Sequence, residues 1–168
     1  MAFREIRRHE RVLSEAEARE VLARADHGVL ATAGDDGWPY AVPLNHVLIG
    51  NALYVHCALE GHKLGNIAHE ERVCYCAVAS ATVVPSIYST VYESAVIFGR
   101  AKLVTDPDEK RRALKLLTER FCGQGEEQDK QFEEHMRKSG DGQDTALIRI
   151  RIEQITGKAH RAKPAGDR

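Results

Sequence analysis

Between Ile148 and Glu153 the chain alternates strictly, with Ile148, Ile150 and Ile152 on one side and Arg149, Arg151 and Glu153 on the other. A period of two suits a strand with one face in a core and one in water. The period returns at Ala52–Ala58, which sends Leu53, Val55 and Cys57 one way and Tyr54 and His56 the other. Ser94–Val104 predicts a long strand, with Arg100 and Lys102 opposite Gly99, Ala101 and Leu103. Two segments have the composition of tight turns between strands, Gly34-Asp35-Asp36-Gly37 and Gly50-Asn51. Val29–Ala33 leads into the first, and Trp38–Ile49 leaves it extended. Pro39 and Pro43 have no ladder donor, so that segment reads as an edge or bulged strand. A further strand holds Cys74 and Cys76 and ends in a loop around Pro85.

Helices are marked by their ends. Ser14 and Glu17 form a capping box with Leu13 as a possible staple, and Ala18, Val21, Leu22 and Ala25 recur at helical spacing. These predict a helix over 15–26, stopped by Gly28. Glu60–His69 reads as a short helix whose first turn carries His62 and Lys63. Asp106 caps another with Pro107 at its first position, and Ala113, Leu114, Leu117 and Phe121 supply its apolar stripe. The stretch from Gly123 to Gly142 is the most polar in the chain, with room for a short helix anchored by Phe132 and Met136. About six strands and three or four helices suit a mainly β fold, a small antiparallel barrel with helices packed outside.

The 168 residues fit one domain, and no repeat or linker divides them. The expected domain covers 1–159, with a disordered tail from His160 onward. With 24 Lys and Arg against 25 Asp and Glu, the net charge of -1 argues against a nucleic-acid surface. No apolar run follows the basic N-terminus to make a signal peptide, and none approaches the roughly 20 residues of a membrane span. A cytoplasmic protein with no membrane or nucleic-acid partner is the expectation.

Cys57, Cys74, Cys76 and Cys122 are too sparse for a disulfide scaffold and are expected reduced. Cys74 and Cys76, with His62 and His69 nearby, raise the question of zinc. Strand residues two apart lie about 6.6 Å apart along one face, whereas structural zinc ligands usually converge from turns, so no metal is expected. Dinucleotide, P-loop, zincin and serine-hydrolase signatures are missing. What remains is a cluster between Pro43 and Lys63. Pairing about Gly50-Asn51 brings Asn45 and His46 toward His56 and Cys57, and His62 and Lys63 stand at a helix start. A helix N-terminus with a Lys and a His in its first turn suits a phosphate. Taken singly, His56 also reads as a surface histidine, Lys63 as a solvated helix charge and His46 as a strand residue at a rim.

Taken in order, Gly37-Trp-Pro-Tyr-Ala-Val-Pro-Leu-Asn-His46, Leu53-Tyr-Val-His-Cys-Ala58, Gly61-His-Lys63 and Val96-Ile-Phe-Gly-Arg100 resemble the 5-nitroimidazole reductase (Nim-like) branch of the pyridoxamine 5′-phosphate oxidase-like flavoproteins. Phe3-Arg-Glu-Ile-Arg-Arg8 fits the same branch. The resemblance implies a six-stranded antiparallel split β-barrel that binds FMN at the interface of a homodimer. It implies that Pro43, Leu44, Asn45 and His46 line the isoalloxazine edge, largely through backbone groups. His56, Cys57 and Ala58 lie along the flavin and ribityl chain, His62 and Lys63 at the phosphate, and Tyr92 and Ser94 come from the partner subunit. His62 is the expected catalytic group, as proton donor or polar anchor for the acceptor. The implied activity is electron transfer from reduced FMN to a small acceptor such as a nitro compound or quinone, with NADH or NADPH as electron donor. The C-terminal Gly157-Lys-Ala-His-Arg-Ala-Lys-Pro does not match the substrate-binding segment of the vitamin B6 oxidases. The alternative is a non-catalytic module holding flavin, or haem through an axial ligand among His46, His56, His62 and His69, as sensor or carrier.

Overall fold

The computed structural model describes residues 3–161. Eight strands run β1 (Val12–Leu13), β2 (His27–Ala33), β3 (Pro39–Asn45), β4 (Val47–Ile49), β5 (Ala52–Cys57), β6 (Arg72–Val84), β7 (Ser89–Leu103) and β8 (Ala146–His160). Four helices join them, α1 (Glu15–Arg24), α2 (His62–His69), α3 (Pro107–Cys122) and α4 (Glu126–Lys138). The strand count exceeds the expected six because β1 and β4 are too short to show a period.

All pairings are antiparallel, in the order β3-β2-β6-β7-β8-β5-β4, with β1 on β8. β3 and β4 are the two ends of this order, yet only His46 separates them in the chain. The sheet therefore has to curl until its edges meet, which makes the split barrel. Its interior is filled by Leu30, Leu53, Val55, Tyr75, Ile97, Ile148 and Ile150. A second cluster of Val47, Tyr54 and Leu147 lies outside the sheet, under Ala113 and Leu117 of α3. Tyr54 thus shares a face with exposed His56 but is itself covered, and its hydroxyl donates to Glu109 at 2.6 Å.

The capping box of α1 forms as expected, with Ser14 Oγ accepting from the Glu17 N–H and the Glu17 carboxylate accepting from the Ser14 N–H. The helix ends at Arg24, however, and Gly28 lies inside β2. A Cβ at Gly28 would stand 2.6 Å from the Cys76 carbonyl oxygen and collide with the Tyr75 ring. The glycine is there for close packing rather than as a helix stop. The Asp106 cap and Pro107 start of α3 are present, with Ala113 and Leu117 buried, while Phe121 is 40% exposed and leaves the predicted stripe. Glu126–Lys138 is a regular helix held by buried Phe132 and Met136.

β7 begins at Ser89, earlier than Ser94, so β6 and β7 make a long hairpin whose tip turns through Pro85–Ile87. Val83, Ile87 and Tyr88 on this arm are exposed. β8 runs through His160, where a disordered tail was expected, and His160 Nδ1 donates to the Thr90 carbonyl at 2.8 Å. The rest of that predicted tail, 162–168, lies outside the described residues. Among the described residues no helix is long and apolar enough to cross a membrane.

Candidate functional site

α2 is docked by a buried pair, in which Asn66 Nδ2 donates to Thr32 Oγ1 at 3.0 Å. A Cβ at Gly34 would stand 2.7 Å from Asn66 Oδ1, so this close approach needs a glycine at the end of β2. The first turn of α2 then faces outward. Gly61 precedes it with φ +140 and no side-chain cap, and no acidic residue lies in the turn. The Gly61 carbonyl accepts from Leu64 and Gly65, and His62 and Lys63 occupy the preceding positions, where helix N–H groups point away from the helix body. A Cβ on Gly61 would meet little but Lys63 Nζ, at 4.0 Å, so this is an open cradle. Uncapped donors, the helix dipole and an ammonium converge on one small region.

The neighbouring side chains belong to β3 and β5. Cys57 is half-buried, and burial raises its thiol pKa while the nearby Lys63 charge works the other way. The His62 ring is exposed and packs on Tyr40 of β3, with centroids 4.4 Å apart. Sequence reasoning did not single out Tyr40. Tyr40 lies on the half-buried side of β3 with Val42 and Leu44, and its contact with His62 arises only where α2 packs beside that strand.

Asn45 and His56 are brought together as expected, lining one cavity of about 330 Å³. Asn45 is held by donating from Nδ2 to the Asp26 carbonyl at 2.9 Å. Pro43, within β3, and Ala58, just past the end of β5, are exposed, and Leu44 is half-buried. A larger cavity, about 630 Å³, lies against the outer sheet face between Phe3, Cys74 and Phe98. It contains none of the predicted site residues, and neither cavity includes His62 or Lys63.

His46 departs from its expected place at the rim. It is fully buried, with Nε2 donating to the Leu22 carbonyl at 2.8 Å and Nδ1 2.9 Å from the Tyr75 hydroxyl. Burial, aided by the Arg120 charge, lowers its pKa to about 4. The single-residue link between β3 and β4 turns this side chain inward, so its role is to position the β3 end. Tyr92 and Ser94 lie toward the tip of the β6–β7 hairpin, where Tyr92 pairs with Ala81 and His160. The opposite end of β7 adjoins α2, with the Ala101 N–H bonded to the Glu71 carbonyl at 2.7 Å. One chain does not bring Tyr92 and Ser94 to Lys63.

A sequence-family model described as pyridoxamine 5′-phosphate oxidase matches residues 14–159. The chain belongs to the pyridoxamine 5′-phosphate oxidase family. That family's fold is a flavin-binding split barrel, and the curled sheet here has the same form. A Bacteroides thetaiotaomicron structure described as a 5-nitroimidazole antibiotic resistance protein is similar at TM-score 0.71 and 22% identity, over 88% of this chain and 85% of that one. A conserved hypothetical protein of Mycobacterium tuberculosis has TM-score 0.75 and 21% identity, over 97% and 98%. An FAD-binding protein of Mesorhizobium loti has TM-score 0.65 and 24% identity, over 89% and 97%. At these identities the likeness to the three structures is one of fold. No curated protein matches the chain.

Proposed function

We propose that this pyridoxamine 5′-phosphate oxidase family member is an FMN-dependent oxidoreductase that delivers electrons to a small acceptor such as a nitro compound. The observation that carries this reading is the uncapped first turn of α2, with Lys63 in it and no acidic residue within the turn. A flavin phosphate fits that cradle by charge and by donor supply. The flavin, once bound, supplies the electron transfer, with NADH or NADPH as donor.

This chain's residues hold and orient it. The N–H groups of His62 and Lys63, with the Lys63 ammonium, bind the phosphate. Cys57 and Ala58 with His56 flank the ribityl chain, and the backbone of Pro43, Leu44, Asn45 and His46 meets the isoalloxazine edge. The Tyr75–His46–Leu22 contacts keep that backbone in place. His62, packed on Tyr40, is the proton donor beside the flavin. Tyr92 and Ser94 complete the site from a second subunit. Exposed Val29, Val78 and Phe98 on the outer sheet face, and Val83, Ile87 and Tyr88 on the arm, are apolar surface of the kind a homodimer covers.

FMN-loaded protein mixed anaerobically with NADH or NADPH should lose flavin absorbance, and adding a nitroaromatic should restore it. Reduction without reoxidation by any nitro compound or quinone sinks the oxidoreductase reading. A second reading, a flavin or haem carrier, is favoured by the exposed His56 and His62, which are free to serve as axial ligands while buried His46 is not. A haem spectrum in the purified protein decides for it.

A further inference from the structure

The cavity between α3, α4 and the ends of β3 and β5 has no place in the cofactor assignments above, apart from two of its lining residues, Asn45 and His56. These two are exposed, and Leu117, Phe132 and Met136 lie among its apolar lining. Leu117, Phe132 and Met136 are at most 5% exposed, so this part of the wall is packed in place by both helices. At about 330 Å³ the cavity is at the small end of ligand pockets, roughly twice the 150 Å³ that accommodates benzene in an engineered apolar cavity.

Charge chemistry narrows the occupant. No Lys, Arg, Asp or Glu lines the cavity. Three cations stand over rings of the lining, Lys115 and Arg111 at 5.3 and 5.6 Å from Phe132 and Arg120 at 5.2 Å from Phe121; Lys115 is paired with Asp129, Arg111 with Glu133, and Arg120 donates to the Ala25 carbonyl. An anion entering here would lose hydration with no cation in the lining itself to replace it. Thr118 Oγ1 donates to the Leu114 carbonyl and Thr145 Oγ1 to Asp144, which leaves the imidazoles of His56 and His135 and the second amide hydrogen of Asn45 as polar groups suited to bind a ligand oxygen.

We propose that this α3–α4 cavity is the binding site for the electron acceptor, and that it selects a neutral one-ring or two-ring aromatic compound carrying an oxygen acceptor group. The inference rests on the FMN reading, because Asn45, assigned to the isoalloxazine edge, and His56, assigned to the ribityl chain, both line the cavity. The same charge-free lining excludes the phosphorylated electron donor from this cavity, so donor and acceptor enter by different routes.

The chain has two methionines, so Met136 supplies one of only two methyl signals in protein labelled with [methyl-13C]methionine. In FMN-loaded protein, nitrobenzene should move the Met136 signal saturably while 4-nitrobenzoate does not. Thr118→Phe, which narrows the cavity, should weaken the nitrobenzene response roughly tenfold or more with FMN still bound. Thr145→Phe at the same cavity provides a second block if the first variant fails to fold. A Met136 signal that nitrobenzene leaves in place, or that both compounds move equally, overturns the inference. Retained FMN with an unmoved Met136 rejects the cavity alone, whereas a saturable Met136 shift in protein that cannot hold FMN rejects the FMN reading.

Discussion

The hydroxyl of Tyr75 lies 2.9 Å from Nδ1 of His46 and donates to the Leu44 carbonyl at 2.7 Å. His46 Nε2 must carry a proton, because its partner 2.8 Å away is the Leu22 carbonyl, which only accepts. A neutral imidazole therefore has a bare Nδ1, and the single hydroxyl hydrogen of Tyr75 is shared between Nδ1 and Leu44. The arrangement joins α1, β6 and the end of β3 at the one-residue link that closes the barrel.

Stability should fall as the solution is acidified below neutrality. The folded pKa of His46 is about 4 against 6.5 when free, so between those values the unfolded chain binds a proton that the folded chain does not. Stability is fully present above 6.5 and is lost as pH falls toward 4, by roughly 3 kcal/mol in all. Urea denaturation at successive pH values measures the slope. His46→Ala should be less stable at neutral pH and should lose most of this slope, and an unchanged slope would contradict the assignment.

Gly28→Ala should destabilise the protein by roughly 1–3 kcal/mol, since the new methyl group meets Cys76 backbone and the Tyr75 ring inside a packed barrel. The shift appears in the urea midpoint at constant m-value. A midpoint equal to the parent's would show that β2 and β6 have more room than their register allows.

Much of this architecture is readable locally. The alternation at Ile148, Ile150 and Ile152 places each isoleucine in the barrel, and Ser14 with Glu17 marks a helix start, because both signals involve neighbours within a few residues. Other features depend on partners distant in the chain. His46 is inward because Leu22 and Tyr75 receive it, and Tyr54 is covered because α3 crosses its face. The start of β7 at Ser89 escaped notice because much of the β6–β7 arm is exposed and lacks a two-sided pattern. At the site, the His62–Lys63 turn was visible as a motif, while Tyr40 and the Thr32–Asn66 pair emerge only from the packing of α2.

Lys63→Ala should weaken FMN binding roughly tenfold to a hundredfold, the worth of one charge-assisted contact, with the fold unchanged by circular dichroism. Lys63→Arg should recover part of the loss. Fluorescence titration of free FMN gives the affinity, and equal affinities for parent and Lys63→Ala would remove the phosphate assignment from α2.

In gel filtration the FMN-loaded protein should elute at twice its 18.7 kDa chain mass. Val78→Asp puts a charge on the exposed apolar face and should shift the protein toward monomer with weakened FMN binding. A clean monomer that still binds FMN tightly would contradict a site shared between subunits.

The central claim is that this chain builds a flavin site around Lys63 and the ends of β3 and β5. The most direct test is the visible absorption spectrum after incubation with FMN and exhaustive desalting. A retained flavin spectrum near one FMN per chain is the predicted result. Protein that emerges colourless, with no change in FMN fluorescence on mixing, would contradict it.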